Sequence, residues 1–239
     1  MVLHLISLGL TEKSFSLESV DALKKCKKVY LENYTSIING SLKPLEKLIN
    51  KKIISVDRNF VENYDVSEAK KENVAFLIVG DVFSATTHIS LFNDCKNKNV
   101  EVKILNNASV LTAVGITGLS LYNFGKTASI PFENKNIETP IKILNDNLKI
   151  NAHTLFLLDL NPGEGKYLSI KAALTYLEEK GVKGKVIGCA KLGAEDFIVK
   201  YGEMKDIKEI DFGEPPYCLI IPAKKLHFIE EEVLEKWKI

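Results

Sequence analysis

Apolar residues in the first half of the chain come in short runs separated by amphipathic stretches. The pattern predicts a strand over residues 2–7, a helix over 17–26 and a strand over 28–31. A helix over 42–49 and an extended segment over 53–56 follow. Residues 74–79, Val-Ala-Phe-Leu-Ile-Val, form a continuous apolar run, the mark of a strand buried on both faces. Next come a helix over 86–96, a strand over 101–105 and a helix beginning at Ser109. Strand alternating with helix predicts a mostly parallel α/β sheet with covered faces.

The second half reads differently. Strands are predicted over 127–131, 154–158, 185–190, 196–200 and 217–221, with few helices between them. One helix covers 167–180 and ends at Gly181. Another, around 230–237, puts Ile229, Val233 and Leu234 on one face, a stripe that reads as core or subunit contact. This half is expected to be an α+β domain with a mixed sheet. A hinge over 115–122 sets the expected domains at 1–117 and 118–239.

Composition changes this picture little. The chain has 239 residues, 46% hydrophobic and 26% charged, which is ordinary for a globular protein and excludes disorder or fibrous repeats. Thirty-two basic residues against 31 acidic leave a net charge of +1, too small for a protein whose main task is to coat nucleic acid. Arg58 is the sole arginine, so an arginine-cluster anion site is excluded. The apolar N-terminus lacks a basic region and a small-residue cleavage site, and no run reaches the roughly 20 apolar residues of a membrane span. Cys26, Cys95, Cys189 and Cys218 lie far apart with no CxxC pair. A cytoplasmic protein without membrane attachment is expected, and the glycosylation-type triplets at Asn33, Asn39 and Asn107 read as chance.

Candidate chemistry gathers where strands end. Gly9, after the first strand, allows close backbone approach, though by itself it reads as an ordinary βα turn; GxGxxG is missing. The segment Val79-Gly80-Asp81-Val82-Phe83-Ser84-Ala85-Thr86-Thr87-His88 is more telling. A carboxylate at the end of a buried strand can accept hydrogen bonds from a ligand, or merely cap its loop, and Thr86 or Thr87 can cap the next helix. Ser109 reads as an N-cap whose helix could face a ligand. The segment Gly118 to Thr127 imitates a phosphate-binding loop, but six residues separate its glycines instead of four, and no buried strand leads into it. HExxH, GxSxG and any close Cys/His cluster are missing, so neither a metal site nor an esterase site is expected, and no catalytic side chain stands out. His88, following the Gly-Asp loop, reads as structural.

Taken together, Leu8-Gly9-Leu10, Gly80-Asp81-Val82-Phe83 with Ala85-Thr86-Thr87-His88, and Asn107-Ala108-Ser109-Val110 resemble the diphthine synthase family. So do the segment Leu31 to Ile37, Ala113-Val114-Gly115, Leu121 to Gly125, His153-Thr154, Leu158-Asp159 and Pro216. The resemblance covers nearly the whole chain in order, and the Gly-Asp-Val-Phe and Leu31 to Ile37 segments look eukaryotic. It implies the two-domain tetrapyrrole methylase fold, with a cofactor cleft between the domains. It implies an S-adenosylmethionine-dependent methyltransferase, releasing S-adenosylhomocysteine, that methylates the modified histidine of translation elongation factor 2 in diphthamide biosynthesis. It also implies a homodimer. Carried over by position, the implied cofactor contacts are Leu10, Asp81, Ser84, Ser109 and Val110, then Leu158, Leu192 and Tyr217. Many of these are apolar, so main-chain contacts and packing are expected.

The chain departs from the family pattern in places. Ser7 stands where a glycine is common and Tyr217 where a histidine is common, and the segment 160–167 is short. Other readings stay open on the residues alone: a same-fold methyltransferase acting on a tetrapyrrole or ribosomal RNA, or a cofactor-binding regulator without turnover.

Overall fold

The computed structural model describes residues 1–38 and 40–239. Asn39, in one of the glycosylation-type triplets, lies outside the described residues. The chain divides into two compact units, Met1–Leu111 and Thr112–Ile239.

In the first unit, β1 (Val2–Ser7), β2 (Lys28–Glu32), β3 (Ile54–Val56), β4 (Val74–Ile78) and β5 (Glu101–Leu105) form one sheet in the order β3-β2-β4-β1-β5. Every pairing is parallel. The apolar run is the central strand: all of β4 is buried. Its side chains alternate between two cores. Val74, Phe76 and Ile78 pack with Leu3, Leu5, Leu91 and Cys95, while Ala75 and Leu77 pack with Ile6, Leu8, Val20, Leu23, Leu45 and Ile49. The helices α1 (Leu17–Lys25) and α2 (Lys43–Ile49) therefore cover one face, and α3 (Arg58–Glu62) and α4 (Ile89–Asn97) the other. Ser16 caps α1, its hydroxyl accepting the Ser19 amide at 3.1 Å.

The helix α4 starts later than its sequence suggests. Thr86 Oγ1 donates to the Val82 carbonyl at 2.5 Å and Ala85 takes a left-handed conformation, so residues 81–88 close as a loop. Neither Thr86 nor Thr87 caps the helix; its N-cap is His88, which makes no side-chain capping bond. The short α5 (Val110–Ala113) spans the division between the units.

In the second unit, β6 (Ala128–Ile130), β7 (Thr154–Leu158), β10 (Lys185–Ala190), β11 (Ile198–Glu203) and β12 (Tyr217–Ile221) form a mixed sheet in the order β11-β10-β12-β7-β6. Only the β6–β7 pairing is parallel. The strands β8 (Leu160–Asn161) and β9 (Lys166–Tyr167) make a small hairpin out of the short segment. That hairpin delays the following helix, α7 (Ile170–Glu179), which Ser169 caps by accepting the Ala172 amide at 3.1 Å. The helix α6 (Thr139–Lys149) has no counterpart in the sequence-based expectation. The core of this unit packs Ile130, Leu144, Phe156, Leu174, Leu177 and Leu219. The helices α8 (Met204–Ile207) and α9 (Phe228–Lys236) complete it. Beyond α9 the chain lies along β11: the Tyr201 amide donates to the Trp237 carbonyl at 2.9 Å, and the Ile239 amide to the Tyr201 carbonyl at 3.2 Å. All four cysteines are buried and free, with Cys189 directly opposite Cys218.

Candidate functional site

In the first unit the sheet order places β4 beside β1 and β1 beside β5, so the loops leaving their carboxyl ends are neighbours. They are tied together by backbone. The Gly9 amide donates to the Gly80 carbonyl at 3.1 Å, and the Gly80 amide to the Gly9 carbonyl at 2.8 Å. Both glycines are left-handed, at φ 76° and 80°. A Cβ at Gly9 would meet Ser14 Cβ at 2.6 Å, so this turn admits no side chain. Asn107 reaches across as well, donating its amide to the Ser14 carbonyl at 2.9 Å, which commits the nitrogen of that triplet to the fold.

Asp81 begins the loop after Gly80. Its Oδ1 accepts the Phe83 amide at 3.0 Å and the Ser84 hydroxyl at 3.1 Å. Its Oδ2 accepts the Ser7 hydroxyl at 3.4 Å, while Ser7 Oγ takes the Val82 amide at 2.9 Å. The residue that departs from the family pattern thus braces the Asp81 loop from beneath. No Lys or Arg pairs with Asp81 among the described residues, so the carboxylate keeps capacity for a ligand's hydroxyl or amino group. Ser109 is buried, and its Oγ accepts the Leu111 amide at 3.2 Å, a capping bond. Leu10, Asp81, Ser84 and Ser109 therefore sit on three adjacent loops at one end of one sheet, and Val110 opens the helix that follows the third.

The second unit assembles its own set in the same manner. Tyr217 opens β12, opposite Ala190 at the end of β10, and its neighbour Cys218 faces Leu157 of β7. Leu158 ends β7, and Leu192 lies in the turn just past β10. All three occupy one end of this sheet. The turn is fixed by the Lys191 amide donating to the Pro216 carbonyl at 2.9 Å and by an ion pair of Lys191 with Asp196. The Tyr217 hydroxyl donates to the Gly213 carbonyl, which turns the side chain back onto its own loop. Burial, with Glu214 and Asp211 nearby, raises the phenol above its ordinary range, so that hydroxyl stays protonated.

Glu32 carries a role that its sequence context did not reveal. Fully buried at the end of β2, its carboxylate accepts the Thr35 hydroxyl, the Thr35 amide at 3.1 Å and the Tyr34 amide at 3.4 Å. Burial raises its pKa and these bonds oppose the rise. It pins the start of the β2 loop. Only its place after a strand in Leu31 to Ile37 could have signalled it.

A mixed-sheet unit and a parallel-sheet unit that each collect strand-end loops on one side define a two-domain methylase architecture. The chain belongs to the tetrapyrrole (corrin/porphyrin) methylase family, whose model matches residues 2–208. Within that family it is similar to diphthine synthases over its full length. It is 39% identical to the diphthine synthase of Methanococcus maripaludis, covering 98% of each chain. It is also 39% identical to the Arabidopsis thaliana protein named "Probable diphthine methyl ester synthase", covering 99% of this chain and 98% of that one. A crystal structure of a diphthine synthase superposes with a TM-score of 0.92 at 32% identity, covering 100% of this chain and 96% of the other. No helix among the described residues is long and apolar enough to cross a membrane.

Proposed function

We propose that this methyltransferase is a diphthine synthase, which methylates the modified histidine of translation elongation factor 2 using S-adenosylmethionine. The observation that supports it best is full-length similarity to diphthine synthases at 39% identity, combined with the Asp81 loop. The same reading takes the chain to be a cytoplasmic homodimer.

The residues present fit the cofactor. A carboxylate without a basic partner, two serine hydroxyls and glycine turns free of side chains suit a ligand rich in amino and hydroxyl groups. Leu10, Asp81, Ser84, Ser109 and Val110 in the first unit, and Leu158, Leu192 and Tyr217 in the second, are proposed to hold it. When bound, S-adenosylmethionine supplies an electrophilic methyl group on a sulfonium. The chain's own part is to fix that group in line with the acceptor. Orientation of this kind can lower a barrier by about 7–11 kcal/mol in favourable cases. No enzyme nucleophile is required. His88 is buried, and burial lowers its pKa to about 4, so it is unsuited to serve as a general base.

Asp81→Ala is expected to weaken S-adenosylmethionine binding by about 1.5–3 kcal/mol, on the order of ten- to a hundred-fold in dissociation constant. Asp81→Asn, which keeps an acceptor for the Phe83 amide, should lose less. Calorimetry on both variants measures this, and an unchanged constant for Asp81→Ala removes the residue from the cofactor site.

The function itself is tested by mass spectrometry of elongation factor 2 that carries the unmethylated diphthamide precursor, after incubation with this chain and S-adenosylmethionine. Four added methyl groups identify the methyl ester product, and three a reaction that stops at the trimethylated amine. No added mass, with the cofactor bound, refutes the assignment; precorrin and ribosomal RNA are then the substrates to assay.

A further inference from the structure

The chain leaves the ends of β2 and β4 in opposite directions. These strands are neighbours, yet after β2 the chain runs through α2 to β3 at one edge, and after β4 through α4 to β5 toward the other. The two helices cover opposite faces. In open α/β sheets such a divergence leaves a crevice at the carboxyl ends of the strands, a usual place for a ligand.

Glu32 and Tyr34 lie on the β2 side of this point, and Thr87 and His88 on the β4 side. Glu32 is saturated by its loop. His88 is not: it is 1% exposed, and neither Nδ1 nor Nε2 has a hydrogen-bond partner among the described residues. The buried Tyr34 hydroxyl also lacks one, although Thr87 stands close to it. The two rings are 6.2 Å apart, centre to centre. A neutral imidazole offers one N–H and one lone pair, and a phenol offers both roles. Leaving such groups buried and unpaired is costly, and native structures rarely tolerate it. One imidazole nitrogen and the phenol oxygen, on neighbouring rings where the chain diverges, suit a compact ligand that both donates and accepts; the two imidazole nitrogens point apart, so one such ligand meets only one of them. Water meets that description.

We propose that His88 and Tyr34 share an internal water site that braces residues 81–88 against the end of β2. This makes them positioning residues for the loop that carries Asp81 and Ser84. Their effect on the cofactor rests on the function proposed above; the bracing does not.

The test is a cycle of Tyr34→Phe, His88→Phe and the double variant in the full chain, with His88→Gln as the conservative replacement. Thermal unfolding and hydrogen exchange of the amides of residues 82–88 are read for each. Tyr34→Phe removes one oxygen and nothing else. With a shared water, it lowers the unfolding midpoint and speeds exchange of the loop several-fold. Both effects largely vanish in the His88→Phe background, and His88→Gln exchanges closer to the parent than His88→Phe does. A dry, unpaired hydroxyl gives the opposite sign, because removing it leaves the midpoint unchanged or raised. That result, or the same loss in both backgrounds, overturns the proposal. Calorimetry with S-adenosylmethionine should show several-fold weaker binding by Tyr34→Phe. A parent chain that binds none refutes the functional reading, while exchange and unfolding still decide this one.

Discussion

Replacing Glu230 with alanine is expected to cost the second unit about 3–5 kcal/mol of stability, the scale of leaving several buried donors unsatisfied. Glu230 is 1% exposed on the first turn of α9. Its Oε1 accepts the Ser120 amide at 2.8 Å and faces His153 Nε2 at 3.3 Å, and its Oε2 accepts the His227 amide at 2.9 Å, closing a capping box. The tautomer of His153 follows from its other nitrogen. The Ala223 amide donates to Nδ1 at 3.0 Å, so the proton is on Nε2 and points at Glu230. Alanine would strand all of these donors. Burial by itself raises the Glu230 pKa, but the backbone bonds from His227 and Ser120 outweigh it and hold the carboxyl down at about 2. Glu230→Gln keeps one acceptor and should lose about half as much. Urea unfolding followed by fluorescence of Trp237 measures both, and a shift under 1 kcal/mol for Glu230→Ala would remove this network from the account of stability.

The first unit is expected to lose about 3 kcal/mol between pH 6.5 and pH 4 through His88. Burial lowers the folded pKa of His88 to about 4, from an ordinary 6.5. Between those values the unfolded chain binds the proton and the folded chain does not. Stability from this group is therefore present above pH 6.5 and is lost as the pH falls toward 4. His4 acts in the same direction in this unit, lowered by burial and then by Lys103, and so does His153 in the second, lowered by burial against the pull of Glu230. Denaturant midpoints at pH 7, 5.5 and 4.5 should decline steadily in the parent chain and less steeply in His88→Phe. Equal slopes in the two would show that His88 does not stay neutral in the folded protein.

Much of the first unit was legible because its signals are local. Val74 to Val79 has no polar residue to place at a surface, so it had to be interior to the sheet, and it lies between β1 and β2. The helix α6 was hidden by its own residues. Pro140 and the repeated asparagines are poor helix signals, yet proline is compatible with a first helical turn. The inward-facing polar residue Asn147 is fully bonded, to the Lys126 amide at 3.0 Å and carbonyl at 2.9 Å, and to Thr154 Oγ1 at 3.0 Å. A hydrophobic pattern cannot register a buried asparagine satisfied by a distant segment.

The candidate site divides in the same way. Asp81 and Ser84 could be read from a Gly-Asp pair closing a buried strand. Ser7 could not, because it acts on a loop that becomes its neighbour only when the strands are ordered; Glu32 acts locally, on the Tyr34 and Thr35 amides, but a carboxylate closing a strand does not announce its own burial. Ser7 meets Val82 across 75 positions of sequence. Thr86 was read as a helix cap and is not one: its hydroxyl turns back to the Val82 carbonyl instead of forward to the helix, which is why α4 begins at Ile89.

The strand β11 is the outermost of the mixed sheet, and an outermost strand ordinarily offers its free amides and carbonyls to any passing chain. Here Trp237 and Ile239 occupy those of Tyr201, and the fit at the next residue is close: a Cβ on Gly202 would come within 3.0 Å of Ile239. Three residues after α9 thus serve as a selvedge at Tyr201, turning in that part of the margin from within the same chain. Association between molecules through Tyr201 would first have to unpick it.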